Sequence, residues 1–473
     1  MSDGTALGDL AAGVAAGEVT AEALVARAYE RVGSLNAQIN AVVALRDEEE
    51  ALAEARALDG SVRRRERLGA LAGVPFLVKD AQDLAGMPTR HGSLLLADAP
   101  PAARDTLSVA RLRAAGAIPI GKTCVPEFCF EGFTASRLSG ETLNPWAPAW
   151  SPGGSSGGSA AAMAAGMIPF ATATDGGGSV RIPAAFCGLY GLKPTNGVIA
   201  RDPMPEWIDF TTDGTLALSM ADLRLLLRVQ AGPAAGDPTA LTDEMVRGLL
   251  AARPERRPSL VLAAPRFTDW GPLPNSVADL FDAALTSLEK DLGLRVEPLA
   301  PGQIFGGLNV DEDWFLTGAC EQARAFGEAA VEAEAERLHP AFLAAMRHGL
   351  RVTLHEYLAA RRRRFDYVRA LDDLLGADRL LVTPTMPVPG FLADGREAGA
   401  DHPGTASSSY NTQAQNVTGH PALTVPAGVA PNGVPFGLQI TGPRFADPAV
   451  LALGEAWERV HPALRAAPGH AAF

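Results

Sequence analysis

Ser151-Pro152-Gly153-Gly154-Ser155-Ser156-Gly157-Gly158-Ser159 is the densest small-residue loop in the chain, and it opens into Ala160-Ala161-Ala162-Met163-Ala164-Ala165-Gly166. The second run reads as a helix of small residues, which neighbouring elements can approach closely. Ile168-Pro169-Phe170-Ala171-Thr172-Ala173-Thr174 follows as a strand and ends in a similar loop, Asp175-Gly176-Gly177-Gly178-Ser179-Val180-Arg181. A helix leading away and a strand returning bring both loops to one end of a sheet. The carboxyl ends of strands are where open α/β sheets place their sites. Either loop alone reads as a flexible turn. Two of them across one helix–strand unit, each presenting serine, do not read as linkers.

The surrounding sequence has the same texture. Residues 73–78 read as a buried strand, 106–115 as a helix and 117–120 as the next strand. Strands alternating with helices imply an α/β sheet covered on both faces. Residues 5–58 read as helices, and 230–276, rich in Pro, Gly and Ala, as connecting loops. Helices are expected over 277–292, 318–338 and 353–375, strands over 380–382 and 435–440, and a last helix over 449–460. The arginine run 361–364 reads as a solvated helix face with local salt bridges rather than a nucleic-acid patch.

Composition narrows the partners. The chain is 47% hydrophobic and 20% charged with a formal net charge of −13, which excludes a disordered chain and argues against nucleic acid or anionic lipid as its business. The start, Met1-Ser2-Asp3-Gly4-Thr5, has no basic region, and the longest uncharged stretch, 142–174, is too polar for a membrane span. Four cysteines form no CxxC pair and no disulfide framework, so a reducing, cytoplasmic compartment is expected. The eight histidines form no HExxH cluster, and no metal or other cofactor is expected.

Among the 41 basic residues only Lys79, Lys122, Lys193 and Lys290 are lysines. Where arginine has otherwise been used throughout, a retained lysine hints that a proton has to leave, which arginine does not permit. Lys290 lies on a helix surface; the other three fall in the apolar, glycine-rich first half.

Consecutive glycines turn backbone N–H groups toward a ligand at little steric cost, making a cradle for a phosphate or for the oxyanion of acyl transfer. Acyl transfer needs a hydroxyl beside the cradle and a base to deprotonate it. Ser179 directly follows three glycines and is the better nucleophile. No histidine lies near either loop, so the base is of another kind. Lys79, first charged residue after the apolar run 74–78, sits at the end of a buried strand, where desolvation favours the neutral amine.

These segments resemble the amidase signature family. Gly153-Gly154-Ser155-Ser156-Gly157-Gly158-Ser159 and Gly177-Gly178-Ser179-Val180-Arg181 reproduce its two loops with its serine spacing. Gly73-Val74-Pro75-Phe76-Leu77-Val78-Lys79-Asp80 looks like its lysine strand, and Gly191-Leu192-Lys193-Pro194-Thr195 like the segment after the core. Asn416-Val417-Thr418-Gly419-His420-Pro421-Ala422-Leu423 and Val434-Pro435-Phe436-Gly437-Leu438-Gln439 look like its tail. The resemblance implies one large α/β domain over 1–473, a central mixed β-sheet covered by helices on both faces. Its parts would be an N-terminal helical part (1–65), a signature core (66–215), a variable helical insertion (230–375) and a C-terminal return to the sheet (376–473).

It further implies Ser179 as the acylated nucleophile and Ser155, in a cis peptide after Gly154, as the bridge to Lys79. The N–H groups of Gly176, Gly177, Gly178 and Ser179 would form the oxyanion hole, with Ser156, Asp175 and Arg181 holding the loops. The implied reaction is metal-free hydrolysis of a small amide, or of an aryl amide, ester or carbamate, through an acyl-serine. Pocket walls are expected from 124–150, 200–215 and 305–420, with Trp146, Trp150, Trp207 and Trp314 as aromatic candidates. Cys124, Cys129 and Cys187 read as packing residues.

Two rival readings differ in class. One is the amidotransferase component that makes glutaminyl-tRNA, part of a larger assembly. That component continues with Tyr-Gly-Arg-Val-Ser-Arg where this chain has Asn196-Gly197-Val198-Ile199-Ala200-Arg201. The other is a nucleotide-binding protein, since Gly116-Ala117-Ile118-Pro119-Ile120-Gly121-Lys122-Thr123 fits GxxxxGK[ST]. A phosphate loop follows a strand and opens a helix; here a helix precedes and the middle is apolar strand. Oligomeric state stays open, with a homodimer the candidate.

Overall fold

The computed structural model describes residues 6–473 apart from 206, 208, 253–257, 259, 269–270, 301, 397–410, 463 and 465. Its strands are β1 (Val42–Leu45), β2 (Pro75–Lys79), β3 (Ile118–Thr123), β4 (Ala135–Ser136), β5 (Gly140–Glu141), β6 (Phe170–Asp175) and β7 (Tyr190–Lys193). They continue with β8 (Thr212–Ala217), β9 (Leu260–Ala263), β10 (Val296–Pro298), β11 (Arg379–Pro384), β12 (Ala422–Val429) and β13 (Pro435–Thr441). β4 and β5 form a small separate hairpin. Among the described residues the rest make one 11-stranded sheet in the order β1-β3-β2-β6-β8-β7-β12-β13-β11-β9-β10. It is mixed: β2 runs parallel to β3 and β6, β9 parallel to β10 and β11, and the middle pairings are antiparallel.

The central strands are buried on both faces because helices cover both. β2 and β3 are buried at every position, and β13 likewise. The helix Gly157–Ala164 is wholly buried, and its glycines and alanines let it sit close against β6 and against the backbone of Cys124. Phe76 and Phe170, facing partners on β2 and β6, stack at 5.1 Å. This packing fixes the loops at either end of the helix relative to the end of β2.

Several expectations are corrected. Residues 5–58 are not all helix: β1 lies between the helices Ala21–Ile39 and Glu48–Arg63 and pairs antiparallel with β3. The segment 230–276 holds the helix Asp243–Ala251 and β9, whose four residues are too short a run to stand out among prolines and glycines. With β10 it extends the main sheet, so 230–375 is not purely helical. The helix expected over 318–338 starts at Val310 and stops at Gly327, whose φ of 82° ends the turn before a short helix Glu328–Ala333. The helix Pro340–Arg351 and the strands β7, β8 and β12 lie outside the sequence expectations.

The arginine run is partly solvated, with Arg362 exposed, and it carries salt bridges as expected, but their partners lie on other elements. Arg361 pairs with Asp209 and Glu321, Arg363 with Asp313, and Arg364 with Asp209 and the Val417 carbonyl, so the run clamps the helix Leu354–Leu375 onto three other segments. No described helix is long and apolar enough to cross a membrane.

Candidate active site

β2 and β6 are parallel neighbours, so Lys79 and Asp175, the last residues of each, lie at the same edge of the sheet. The loop before the helix Gly157–Ala164 reaches the same edge. Its Gly154–Ser155 peptide bond is cis. An added Cβ on Gly154 would meet the Glu131 carbonyl oxygen at 2.7 Å, so a glycine is required where this loop crosses the 131–133 segment.

Lys79 is fully buried. Its Nζ donates to Ser155 Oγ at 2.7 Å and Thr174 Oγ1 at 2.8 Å. Burial pulls its pKa below the ordinary lysine value, against the weaker pull of the nearby Cys129, Asp175 and Asp213 in the other direction. Ser155 and Ser179 line one cavity of about 540 Å³, together with Gly176 and Gly177. Ser156 ties the two loops, its N–H donating to the Ser179 carbonyl at 3.3 Å.

The glycine loop is pegged by its carbonyls. In a trans peptide the C=O of one residue and the N–H of the next point in opposite directions. Asn416 Nδ2 holds the Asp175 carbonyl at 2.9 Å, which turns the Gly176 N–H away from Asn416. Trp314 Nε1 holds the Gly176 carbonyl at 2.8 Å, doing the same for Gly177. The Ile182 N–H, at the head of the helix Arg181–Cys187, holds the Gly178 carbonyl at 2.7 Å and so orients Ser179. The N–H groups of Gly176, Gly177 and Ser179 have no acceptor among the described residues, and all three residues line the cavity.

Gly178 departs from the expectation. Its N–H donates to Asp175 Oδ1 at 2.8 Å and Gly178 does not line the cavity, so it does not join the other three as a donor free for a ligand.

Asp175 and Arg181 form the buried clamp beneath. Arg181 reaches Asp175 through Nε at 3.0 Å and Nη2 at 2.8 Å, and its remaining donors go to Gln415, Gln439 and Asn416. Burial alone would raise the Asp175 pKa, but the Arg181 guanidinium and Asn416 hold it down at about 2.

The cavity walls are aromatic. Trp207 and Trp314 meet edge to face at 5.0 Å, and Phe128 packs edge to face on Phe326 at 4.9 Å. Trp207, Trp314, Phe128, Phe130 and Phe326 all line the space. Trp146 does not; it donates to the Cys187 carbonyl at 3.0 Å, away from the site. Trp150 packs against Gly390 and is no cavity wall either. Part of the expected wall, 397–410, lies outside the described residues.

Lys122, from the GxxxxGKT match, lies in a strand rather than a loop. It is fully buried against Asp80 at 3.3 Å and the Gln82 carbonyl at 2.7 Å, so no phosphate cradle forms. Cys124 and Cys187 are buried packing residues. Cys129 is not only that: it lines the cavity beside Lys79. Thr174 and Asn416 beside the site, and the hold of Trp314 on the Gly176 carbonyl, are what sequence reasoning missed; Trp314 itself was expected as a wall residue and is one. Asn416 stood inside a quoted motif, but nothing in its spacing tells that it holds a carbonyl.

Comparison with known proteins gives the same neighbourhood throughout. Residues 23–451 match the family model described as Amidase. An acylamidase of Rhodococcus erythropolis is 32% identical over 460 residues, covering 96% of this chain and 95% of its own. A glutamyl-tRNA(Gln) amidotransferase component of Chloroflexus aggregans is 34% identical, covering 94% of each. Among solved structures, a bacterial aryl acylamidase of the amidase signature enzymes family superposes with a TM-score of 0.86 at 25% identity, over 97% of both chains.

Proposed function

Because the chain belongs to the amidase signature family and is a hydrolase of carbon–nitrogen bonds, we propose that Ser179 is its acylated nucleophile, Ser155 the relay and Lys79 the base. The observation that carries this reading is the short Lys79–Ser155 hydrogen bond at the wall of the cavity that also holds Ser179. Neutral Lys79 takes a proton from Ser155, which takes one from Ser179 as its oxygen attacks the amide carbonyl. Negative charge develops on the carbonyl oxygen, where the N–H groups of Gly176, Gly177 and Ser179 receive it. The same relay returns the proton to the leaving amine, and water repeats the cycle on the acyl-serine.

The aromatic walls favour a small amide with an aryl or alkyl body; an ester or carbamate passes through the same intermediate geometry. The same reading keeps the chain in a reducing, cytoplasmic compartment, which its four free thiols support. A fluorophosphonate should label Ser179 in the intact protein, read by peptide mass spectrometry. Ser179→Ala should remove both label and turnover. Labelling at another residue would end the assignment.

A second reading, a component working inside a tRNA-dependent amidotransferase, draws on the likeness to the Chloroflexus aggregans protein. The divergent segment after Thr195 favours the free hydrolase. Size-exclusion chromatography in native extract separates them: the free enzyme elutes at monomer or homodimer size, the amidotransferase component in a larger complex.

A further inference from the structure

We propose that Glu131 reads a basic nitrogen on the substrate, so that the amides this enzyme prefers carry a free amino group seated against the Glu131 carboxyl. The inference rests on the serine-hydrolase reading above and adds the substrate class.

Among the described residues four carboxyl side chains line the cavity, and three of them are matched from within the protein. Asp83 accepts from Thr89 Oγ1 at 2.6 Å, Asp202 from Arg104 at 2.7 Å, and Asp213 from Ser108 and Gln82. Glu131 is 7% exposed and has neither a hydrogen-bond donor nor an ion-pair partner for its carboxyl among the described residues. Its backbone carbonyl packs on Gly154, the residue joined to Ser155, and Glu131 lines the same cavity as Ser155 and Ser179.

A buried carboxyl with no partner is expensive when ionised. Burial accordingly pushes Glu131 up to about 8. Nothing in the described cavity wall relieves it: no lysine lines the space, and the Arg201 guanidinium is taken by Asp237 and the Thr211 carbonyl. The acid form that results is matched to an entering amine, which takes its proton and leaves an ammonium–carboxylate pair in a low-dielectric site.

A second observation points the same way. Gln82 Oε1 and Gln322 Oε1, on two other lining residues, are buried acceptors with no donor among the described residues. The Gln82 amide is oriented by its donation to Asp213 at 3.0 Å, so its oxygen is the free end. A cavity with spare acceptors and an unmatched acid is built for a group rich in N–H.

The test uses two sets of amides. In one, ω-aminoacyl p-nitroanilides are compared with alkanoyl p-nitroanilides of equal length. In the other, acyl amides of diamines are compared with those of alkylamines of equal length. The wild-type enzyme should favour the amine-bearing member of one set in kcat/KM. Glu131→Gln should collapse that preference by roughly 30-fold or more, the loss typical when one partner of a buried charge pair is removed. Glu131→Asp should keep part of it. A melting curve and Ser179 labelling confirm that each variant is folded and has a competent serine. Absence of preference in both sets, or preference kept by Glu131→Gln, overturns the proposal while leaving the serine mechanism standing. Absence of Ser179 labelling in the wild type overturns both.

Discussion

The oxygens that Lys79 Nζ donates to are neutral: the Ser155 hydroxyl, the Thr174 hydroxyl and, at 3.4 Å, the Thr174 carbonyl. Lys122, equally buried, has the Asp80 carboxyl at 3.3 Å. That contrast is why Lys79 is suited to shed its proton. Activity should rise with pH as Lys79 deprotonates, with the rising limb below the ordinary lysine value of ~10.4. Lys79→Ala should lower kcat roughly 100- to 10,000-fold, the usual contribution of a positioned base. A flat pH–rate profile in the wild type would remove the assignment.

Glu131 makes an opposite prediction, for stability. Its folded pKa of about 8 lies above the unfolded value near ~4.3, so the folded state binds more protons between those limits. Stability therefore falls as pH rises through that window. Glu131→Gln should raise stability by about 2–4 kcal/mol near pH 8 and by little near pH 4, measured by urea unfolding at both. Lys79, Ser155 and Ser179 are legible in the sequence because lysine is rare and the two serines sit in matched glycine loops. Glu131 is not legible, since one acid in a loop looks the same whether solvated or sealed.

At the scale of elements, the glycine loop and the helix Val310–Phe326 work as a pair. The Trp314 ring fills the space a side chain on Gly177 would need. Gly177→Ala should therefore displace either the ring or the loop and abolish most turnover while Ser155 and Lys79 remain. Trp314→Phe keeps the ring and loses the donor to the Gly176 carbonyl. It should lower kcat about tenfold with KM nearly unchanged, less than the 10²–10³ lost when an oxyanion donor is removed outright. A change confined to KM would mean that Trp314 only lines the wall.

The elements that carry motifs are legible to within a few residues: β2, β6 and the helix between the serine loops. What escapes is set by length. β1 and β9 have four residues each, and β10 three, so their apolar runs are too short to show a period of two. They become strands because a neighbouring edge offers hydrogen bonds, which is information the local sequence does not hold.

Across the whole molecule, the buried Asp175–Arg181 pair joins β6, the helix Arg181–Cys187, the helix Gln413–Thr418 and β13 through Gln439. Asp175 titrates at about 2, below its unfolded value, so its contribution is present above about pH 4 and is lost as pH falls toward 2. Arg181→Met should destabilise the fold by about 3–5 kcal/mol, because a buried carboxylate is left without its partner. Urea unfolding at neutral pH measures it, and a loss under about 1 kcal/mol would show that Asp175 is relieved by its amide donors alone.

The pegs that aim the cradle come from distant places in the chain: Asn416 stands 241 residues from the carbonyl it holds and Trp314 138. A ribosome that has passed both serines and the lysine has therefore made the proposed reacting groups but not the Trp314 and Asn416 side chains that hold the loop's carbonyls. A translation product that ends before residue 314 lacks both side chains that hold the Asp175 and Gly176 carbonyls in the folded chain.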